Sequence, residues 1–438
     1  MKSISLLSVT LLFFSGMASA APAQPPETLP NLINMAIANN PELKSSEARW
    51  QMYAGKARQA GALDDPMLAL RLQNLLVRNP FSFGGKDPQT AKVIGISQQL
   101  PFWGKRALRE EVARYEAEAF RWEVEERKLE LRKMVSETWY RLYAVEHALE
   151  IIAKNIRIIS DLATVAESRY SVGEGAQNDI FRAGLEKSRM LDMQITLQQQ
   201  RKSLAANLNY LLFRPADSVV EKIPDFELPP LLPPPNRLKE LAFEQRPKIR
   251  SLSMLAAKGE VALRLAQRDS FPDVNLSFEY MFREKVQSDM GNDPGYDMFT
   301  AGLTFNIPLQ QERRSGMRAE SASESRMAIA ELDTLKNNIE YVINDTVSQM
   351  ERRKNLVELY STGIIRQAEQ TLESTLINYR VGKADFLTLL ESRINLFNYE
   401  RELYESKAEY MIALAQLEAT VGVEHLENGQ SAKLDEHH

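Results

Sequence analysis

From Lys105 to Val172 the chain contains neither glycine nor proline. A stretch of that length without helix breakers predicts one continuous helix. At 1.5 Å rise per residue it makes a rod of about 100 Å, several times longer than an ordinary globular helix. Along it Leu131, Val135, Thr138, Leu142, Val145, Leu149, Ile152, Ile156, Ile159, Ala163 and Ala166 recur in steps of four and three, which is the seam of a coiled coil. Such a rod buries its seam only against other helices of similar length.

Those partners are present because the sequence is written twice. "NNPELKSSEARWQMYAGKARQAGALDDPMLAL" from Asn39 is answered by "EQRPKIRSLSMLAAKGEVALRLAQRDSFPDVNLSF" from Glu244, and "IGISQQLPFWGKRALREE" from Ile94 by "AGLTFNIPLQQERRSGMR" from Ala301. A tyrosine followed by Val-Gly then recurs at "SRYSVGEGAQND" and "INYRVGKADF". A period near 207 residues is too long for a solenoid and fits a duplicated domain. The prolines between Phe213 and Arg237 forbid helix and mark a surface linker. The expected organisation is 1–20 signal peptide, 21–27 arm, 28–213 first repeat, 214–238 linker, 239–422 second repeat and 423–438 polar tail.

Each copy reads as helix, two strands, very long helix, Val-Gly element, helix. The second long helix is expected from Leu309 to Val381. Ala176–Phe213 with Lys239–Asp269, and Ala384–Val421 with Thr28–Ala60, each match one descending helix in summed length. The predicted fold is therefore mainly α with a small β part: two helical hairpins of equal height with four strands at the other end.

The strands alternate cleanly. Val274, Leu276, Phe278, Tyr280 and Phe282 oppose Asn275, Ser277, Glu279 and Met281; Phe299, Ala301, Leu303, Phe305 and Ile307 oppose Thr300, Gly302, Thr304 and Asn306. Leu68, Leu70 and Leu72 oppose Ala69, Arg71 and Gln73. About ten residues with one apolar face is the pattern of a transmembrane strand. A soluble hairpin has the same alternation, but two hairpins cannot cover their apolar faces or close their edges alone. Pooling strands from several chains does both.

Lys2, the apolar run Leu6–Phe14 and Ala18–Ala20 read as a secretory signal. With no cysteine in 438 residues, disulfides and thiolate metal sites are excluded, as is a lipid-bearing cysteine. A net charge of −5 without a basic patch argues against nucleic acid. His147 stands alone on a long helix and His425, His437 and His438 lie in the tail; the sixteen methionines are scattered. The sequence thus offers no catalytic set, no nucleotide loop, no metal site and no cofactor, and an enzyme is not expected.

The duplication, the strand pair before each long helix and the two Val-Gly elements resemble the TolC family of outer-membrane ducts over essentially the whole mature chain. The resemblance implies a homotrimer with a 12-stranded barrel in outer membrane lipid and an α-barrel through the periplasm. It also implies a periplasmic membrane-fusion adaptor and an inner-membrane RND pump as partners. Val172, Gly173 and Glu174, with Val381, Gly382 and Lys383, would then be hairpin turns at the periplasmic tip that dock the adaptor. The family usually has Leu or Thr after Val-Gly, so Glu174 and Lys383 imply a more polar docking surface. Asp179 in copy one and Asp385 and Glu391 in copy two, expected in matching places, would form carboxylate rings at a constriction, with Arg380 and Lys383 as lock cations. Two ordinary helix ends with a solvated charged face is the plainer reading of the same residues.

Pro101, Phe102, Trp103 and Gly104 are expected to turn the chain at the membrane interface. "QLPFWGK" resembles the stretch of the heavy-metal CzcC/CusC-like branch, with Trp103 replacing a proline. Phe81–Gln89 and Arg283–Gly295 would be extracellular loops. The function implied is passive efflux of small solutes, with heavy-metal cations as one cargo. A type I secretion duct for polypeptides and a pore-less periplasmic coiled-coil spacer or adaptor are the alternatives.

Overall fold

The computed structural model describes residues 27–75, 87–229, 232–288 and 291–426. The expected signal peptide, most of the arm and of the first loop, and the tail beyond 426 with His437 and His438 lie outside the described residues.

The first copy comprises α1 (Leu29–Asn39), α2 (Pro41–Ala60), β1 (Met67–Gln73), β2 (Ala91–Leu100), α3 (Lys105–Ser171) and α4 (Gln177–Leu211). The second comprises α5 (Pro235–Gln245), α6 (Pro247–Arg268), β3 (Val274–Arg283), β4 (Val286–Ser288), β5 (Gly291–Asp293), β6 (Met298–Phe305), α7 (Gln311–Leu359), α8 (Ile365–Arg380) and α9 (Phe386–Val421). Beyond the four expected strands, β4 and β5 form a small hairpin in the loop after β3. Pro235 opens α5 as its first helical residue, so helix begins inside the segment expected as linker.

The four long strands form one antiparallel sheet, ordered β1-β2-β3-β6, with the two copies meeting at β2 and β3. Its register carries the alternation across the sheet. Leu68, Ile96, Phe278 and Ala301 share a row, as do Leu70, Ile94, Tyr280 and Phe299. This apolar face is open, with Leu68 68% and Leu70 72% exposed. β1 and β6 are each paired on one side only.

α3 is one helix of 67 residues. Leu131, Val135, Thr138, Leu142, Ile152, Ile159 and Ala166 of the expected seam are buried, each large aliphatic contributing about 1.5–3 kcal/mol. Trp139, Tyr143, His147 and Ile151 are buried too, because α3 also packs against α9 of the other copy. One seam was legible; the second belongs to the assembly of two hairpins.

The second descending path departs from the single helix expected. A π turn, Tyr360–Ile364, joins α7 to α8, with Ile365 N–H donating to Tyr360 C=O. Ser361 and Thr362 hydroxyls both donate to Glu358 C=O, at 3.2 and 2.7 Å. The offset between copies is 207 at Pro101/Pro308 and 209 at Gly173/Gly382, so copy two is longer over this path, and the wide turn takes up one of the extra residues without ending the helix.

The return paths also differ from expectation. Both are cut at a proline, Pro41 and Pro247, after residues of nearly identical backbone, Asn40 (φ −63, ψ 119) and Arg246 (φ −63, ψ 121). The pairing is crossed relative to the summed lengths above. Gly422, at the end of α9, abuts Arg246 at the start of α6, and Arg214 beyond α4 pairs with Glu27 before α1 at 2.6 Å. α4 and α9 are of nearly equal length, so the sums fitted either pairing.

Asn40 caps α2 through its own side chain, accepting from Glu42 and Leu43 N–H. Arg246 cannot, and Glu126 of α3 replaces it: one carboxylate oxygen pairs with Arg246 at 3.0 Å and the other accepts from Lys248 N–H at 3.0 Å. Gly422 has φ +85, and a Cβ there would lie 2.6 Å from Arg246 Cα. Gly422→Ala is expected to cost about 1–3 kcal/mol and lower the thermal midpoint of the 222 nm helical signal in detergent. Gly316→Ala, inside α7 with open space around it, is expected to leave that midpoint unchanged or raise it.

Candidate functional site

Gly173 (φ +77) and Gly382 (φ +74) close the two tip turns in the left-handed conformation. Glu174 and Gly175 N–H donate to Arg169 C=O at 2.9 and 3.1 Å, and Lys383 and Ala384 N–H to Asn378 C=O at 2.8 and 3.3 Å. Each turn thereby satisfies the last carbonyls of its descending helix. Val172 and Val381 stand 68% and 62% exposed beside them, with Glu174 and Lys383 exposed as well.

The acids do not sit in matching places. Asp385 is the N-cap of α9, its carboxylate accepting from Thr388 N–H at 2.7 Å. The aligned residue of copy one is Ala176, which offers α4 no side-chain cap. Asp179 lies in the first turn of α4, level with Thr388, and Glu391 is exposed further along α9. Hydrogen bonding by the Thr388 hydroxyl and backbone N–H holds the Asp385 carboxyl below its ordinary 3.8.

Arg380 and Lys383 form no ion pair with Asp179, Asp385 or Glu391 within the protomer. Another cation joins the hairpins. Arg169, in the last turn of α3, donates to Tyr379 C=O at the end of α8 and to Glu174 C=O, the latter at 3.4 Å. Its guanidinium lies 4.9 Å over the Tyr379 ring, an arrangement worth about 0.5–2 kcal/mol. It also sits where a helix C-terminus favours positive charge. Tyr379 is buried against Phe386, ring centroids 5.7 Å apart, with Leu162, Ala166, Ala183 and Leu389 around it. Burial, and then the charge of Asp179, push its hydroxyl pKa up, with Arg169 opposing. Arg169 was missed because an arginine near a helix end reads as solvated surface; its only signal is that copy two has Asn378 at the aligned position.

The opposite end is held by a buried lysine. Gly104 takes φ +85 and caps α3. Phe102 N–H donates to Asp273 at 2.7 Å and the Phe102 ring stacks on Phe271 at 4.6 Å, while Trp103 is 87% exposed. Lys105, 2% exposed, reaches Asp273 at 2.8 Å, Asp269 at 3.5 Å and Phe271 C=O at 2.9 Å. Pro101–Gly104 is thus a fixed elbow between sheet and rod.

Between the two ends α3 has two opposite faces. Leu142 and Tyr143 face a belt formed with α1 and the linker residues Val220 and Ile223. Glu137, Arg141, Ala144 and Ala148 line a cavity of about 1210 Å³ shared with α4, α7 and α9. Arg352, Arg401, Asp345 and Glu405 line it as well, so both signs of charge are present. His147 stacks on Tyr404 at 4.2 Å with Nδ1 3.3 Å from Glu150, and burial lowers its pKa; it is a packing residue of the belt. Among the described residues no cluster of three His, Asp or Glu could hold a metal ion, and no helix is long and apolar enough to cross a membrane.

The fold is shared with known outer membrane proteins. The model of outer membrane efflux proteins matches residues 32–212 and 238–423. The chain belongs to the outer membrane efflux protein family. Toxin and drug export protein A of Aggregatibacter actinomycetemcomitans is 18% identical over 404 residues, 87% of this chain and 86% of that protein. The outer membrane protein VceC of Vibrio cholerae shares the fold with a TM-score of 0.75 at 19% identity, covering 90% of this chain and 96% of VceC. CusC gives 0.73 at 13% identity, covering 90% and 92%. Outer membrane efflux proteins of this fold are ducts and not enzymes.

In Asp385→Ala, the Thr388 amide is expected to lose exchange protection at neutral pH. In the unmodified chain that protection holds above the ordinary aspartate pKa and fades as pH falls through the depressed one, because the protonated carboxyl accepts less strongly. Arg169→Ala is expected to speed amide exchange at both tip turns, whereas Arg380→Ala leaves both unchanged.

Proposed function

We propose that this chain is the outer-membrane duct of a tripartite efflux system, acting as a passive homotrimer that exports small solutes. The observation that carries the reading is the sheet: four strands with an open apolar face and two free edges, on rods that place a tip far from it. Three copies would give 12 strands, closing the edges and turning the apolar face to lipid. The expected signal peptide supports export.

The Val-Gly turns are the docking surface for a periplasmic membrane-fusion adaptor, which links the duct to an inner-membrane RND pump. Val172 and Val381 supply apolar contacts, while Glu174 and Lys383 require a partner of matching polarity. Asp179, Asp385 and Glu391 set negative charge at the tip, favouring cations. Within the protomer the brake on opening is Arg169 on Tyr379; Arg380 and Lys383 can act as locks only across protomers. Heavy-metal cations are the first cargo to test, on the motif at Pro101–Gly104 and the likeness to CusC. A polypeptide duct is the second reading, favoured by the likeness to a toxin and drug export protein.

Outer-membrane fractions are expected to contain a heat-modifiable trimer that conducts in planar bilayers, whereas a wholly soluble monomer contradicts the duct. Single-channel conductance is expected to rise in Asp179→Ala and Arg169→Ala. A deletion strain sensitised to zinc, cobalt, copper or silver but not to drugs supports metal cargo; loss of a secreted polypeptide without sensitisation supports the second reading.

A further inference from the structure

The polar face of the sheet is short of charge. Its rows are Met67–Ser97–Ser277–Gly302, Ala69–Gly95–Glu279–Thr300 and Arg71–Val93–Met281–Met298. Below them lie Gln99, Asn275 and Thr304, and above them Gln73, Ala91 and Arg283. Arg283 ends β3 and is taken up by the outer loop, donating to Pro88 C=O and pairing with Asp293. Of the described strand residues on this face, that leaves Arg71 and Glu279 as the charged side chains of the strand interior, and they pair with each other.

The pair is built into the sheet. Arg71 on β1 and Glu279 on β3 meet across β2, at Gly95. Glu279 lies over that glycine: a Cβ on Gly95 would stand 3.2 Å from Glu279 Cγ. A side chain at 95 would crowd Glu279, which would have to give by a few tenths of an ångström. Glu279 is 25% exposed and Arg71 56%, so both remain open to the space the polar face lines.

We propose that Arg71 and Glu279 form a charge filter in the membrane-spanning barrel, separate from the acids of the periplasmic tip. The proposal rests on the duct reading. Three pairs encircle the barrel lumen, and because each carboxylate is matched by a guanidinium, the ring carries no net charge and passes solutes of either sign. Removing one partner leaves three like charges facing the lumen, where fixed charge biases which ions cross.

The test is the reversal potential of the full-length protein in planar bilayers under a KCl gradient, for the unmodified chain, Arg71→Gln, Glu279→Gln and the double variant. Arg71→Gln is expected to shift selectivity toward potassium, Glu279→Gln toward chloride, and the double variant to return near the unmodified value. Hexamminecobalt added from the barrel side is expected to block Arg71→Gln at concentrations about tenfold lower than it blocks the unmodified channel. Heat-modifiable mobility of each variant verifies assembly, and the double variant keeps the test open if one single variant fails to assemble. Conducting single variants with unchanged reversal potential and block overturn the filter alone, as does a shift of the same sign in both or a double variant that keeps a shift. Absence of conductance in the unmodified protein overturns the duct reading, and the filter with it.

Discussion

The backbone hydrogen bonds that β1 and β6 cannot make within one chain govern the rest of the structure. Each edge strand carries a row of unpaired N–H and C=O groups beside an apolar face. In water such an edge recruits other strands; in lipid each unsatisfied group costs several kcal/mol. Both problems vanish when the sheet continues into copies of itself and closes. In the proposed trimer, closure about an axis would also orient the rods. Lys105, buried among Asp269, Asp273 and the Phe271 carbonyl, fixes the angle at which α3 leaves the sheet. The two faces of α3 then separate the belt from the cavity lined by charges of both signs.

Duplication supplies the shape, and divergence between the copies supplies the working parts. Tyr170 and Tyr379 are aligned, yet Tyr170 is 47% exposed and Tyr379 is buried under Arg169. Asn40 caps its own helix, whereas Arg246 borrows Glu126 from α3. The π turn interrupts the second rod and α3 has none. In the belt the linker ties both copies together: Asp225 accepts from Tyr143 of α3 at 2.5 Å and pairs with Lys407 of α9 at 3.0 Å. A symmetric pair of hairpins would have no preferred place to yield; these differences concentrate the contacts between hairpins at a few named residues.

What could be read from the sequence was what depends on local pattern. Alternation in Val274–Phe282 gave the strand and its faces, the absence of breakers gave α3, and the Val-Gly pairs gave the turns, because each follows from periodicity or from the conformational freedom of glycine. What escaped depends on non-local packing or on small register changes. Nothing in "LYSTGI" distinguishes a π turn from an α-helix. Pairing of the return helices was misassigned because α4 and α9 have nearly the same length, so length carried no information about who stacks on whom. Arg169 looked like surface charge until the end of α8 was placed beside it, and Asp385 looked like a partner of Asp179 until the caps were aligned.

Because the chain has no cysteine, disulfide cross-linking can test closure of the sheet between chains without background. Leu70→Cys on β1 would be combined in turn with cysteines at positions 298–305 on β6. Within one protomer these strands are separated by β2 and β3, about 14 Å at the usual strand spacing, beyond the reach of a disulfide. The account predicts that at least one register yields, after oxidation in outer-membrane fractions, a covalent ladder that stops at three chains. A scan giving only monomer at every register would show that β1 and β6 do not meet between copies, and the closed barrel would be wrong.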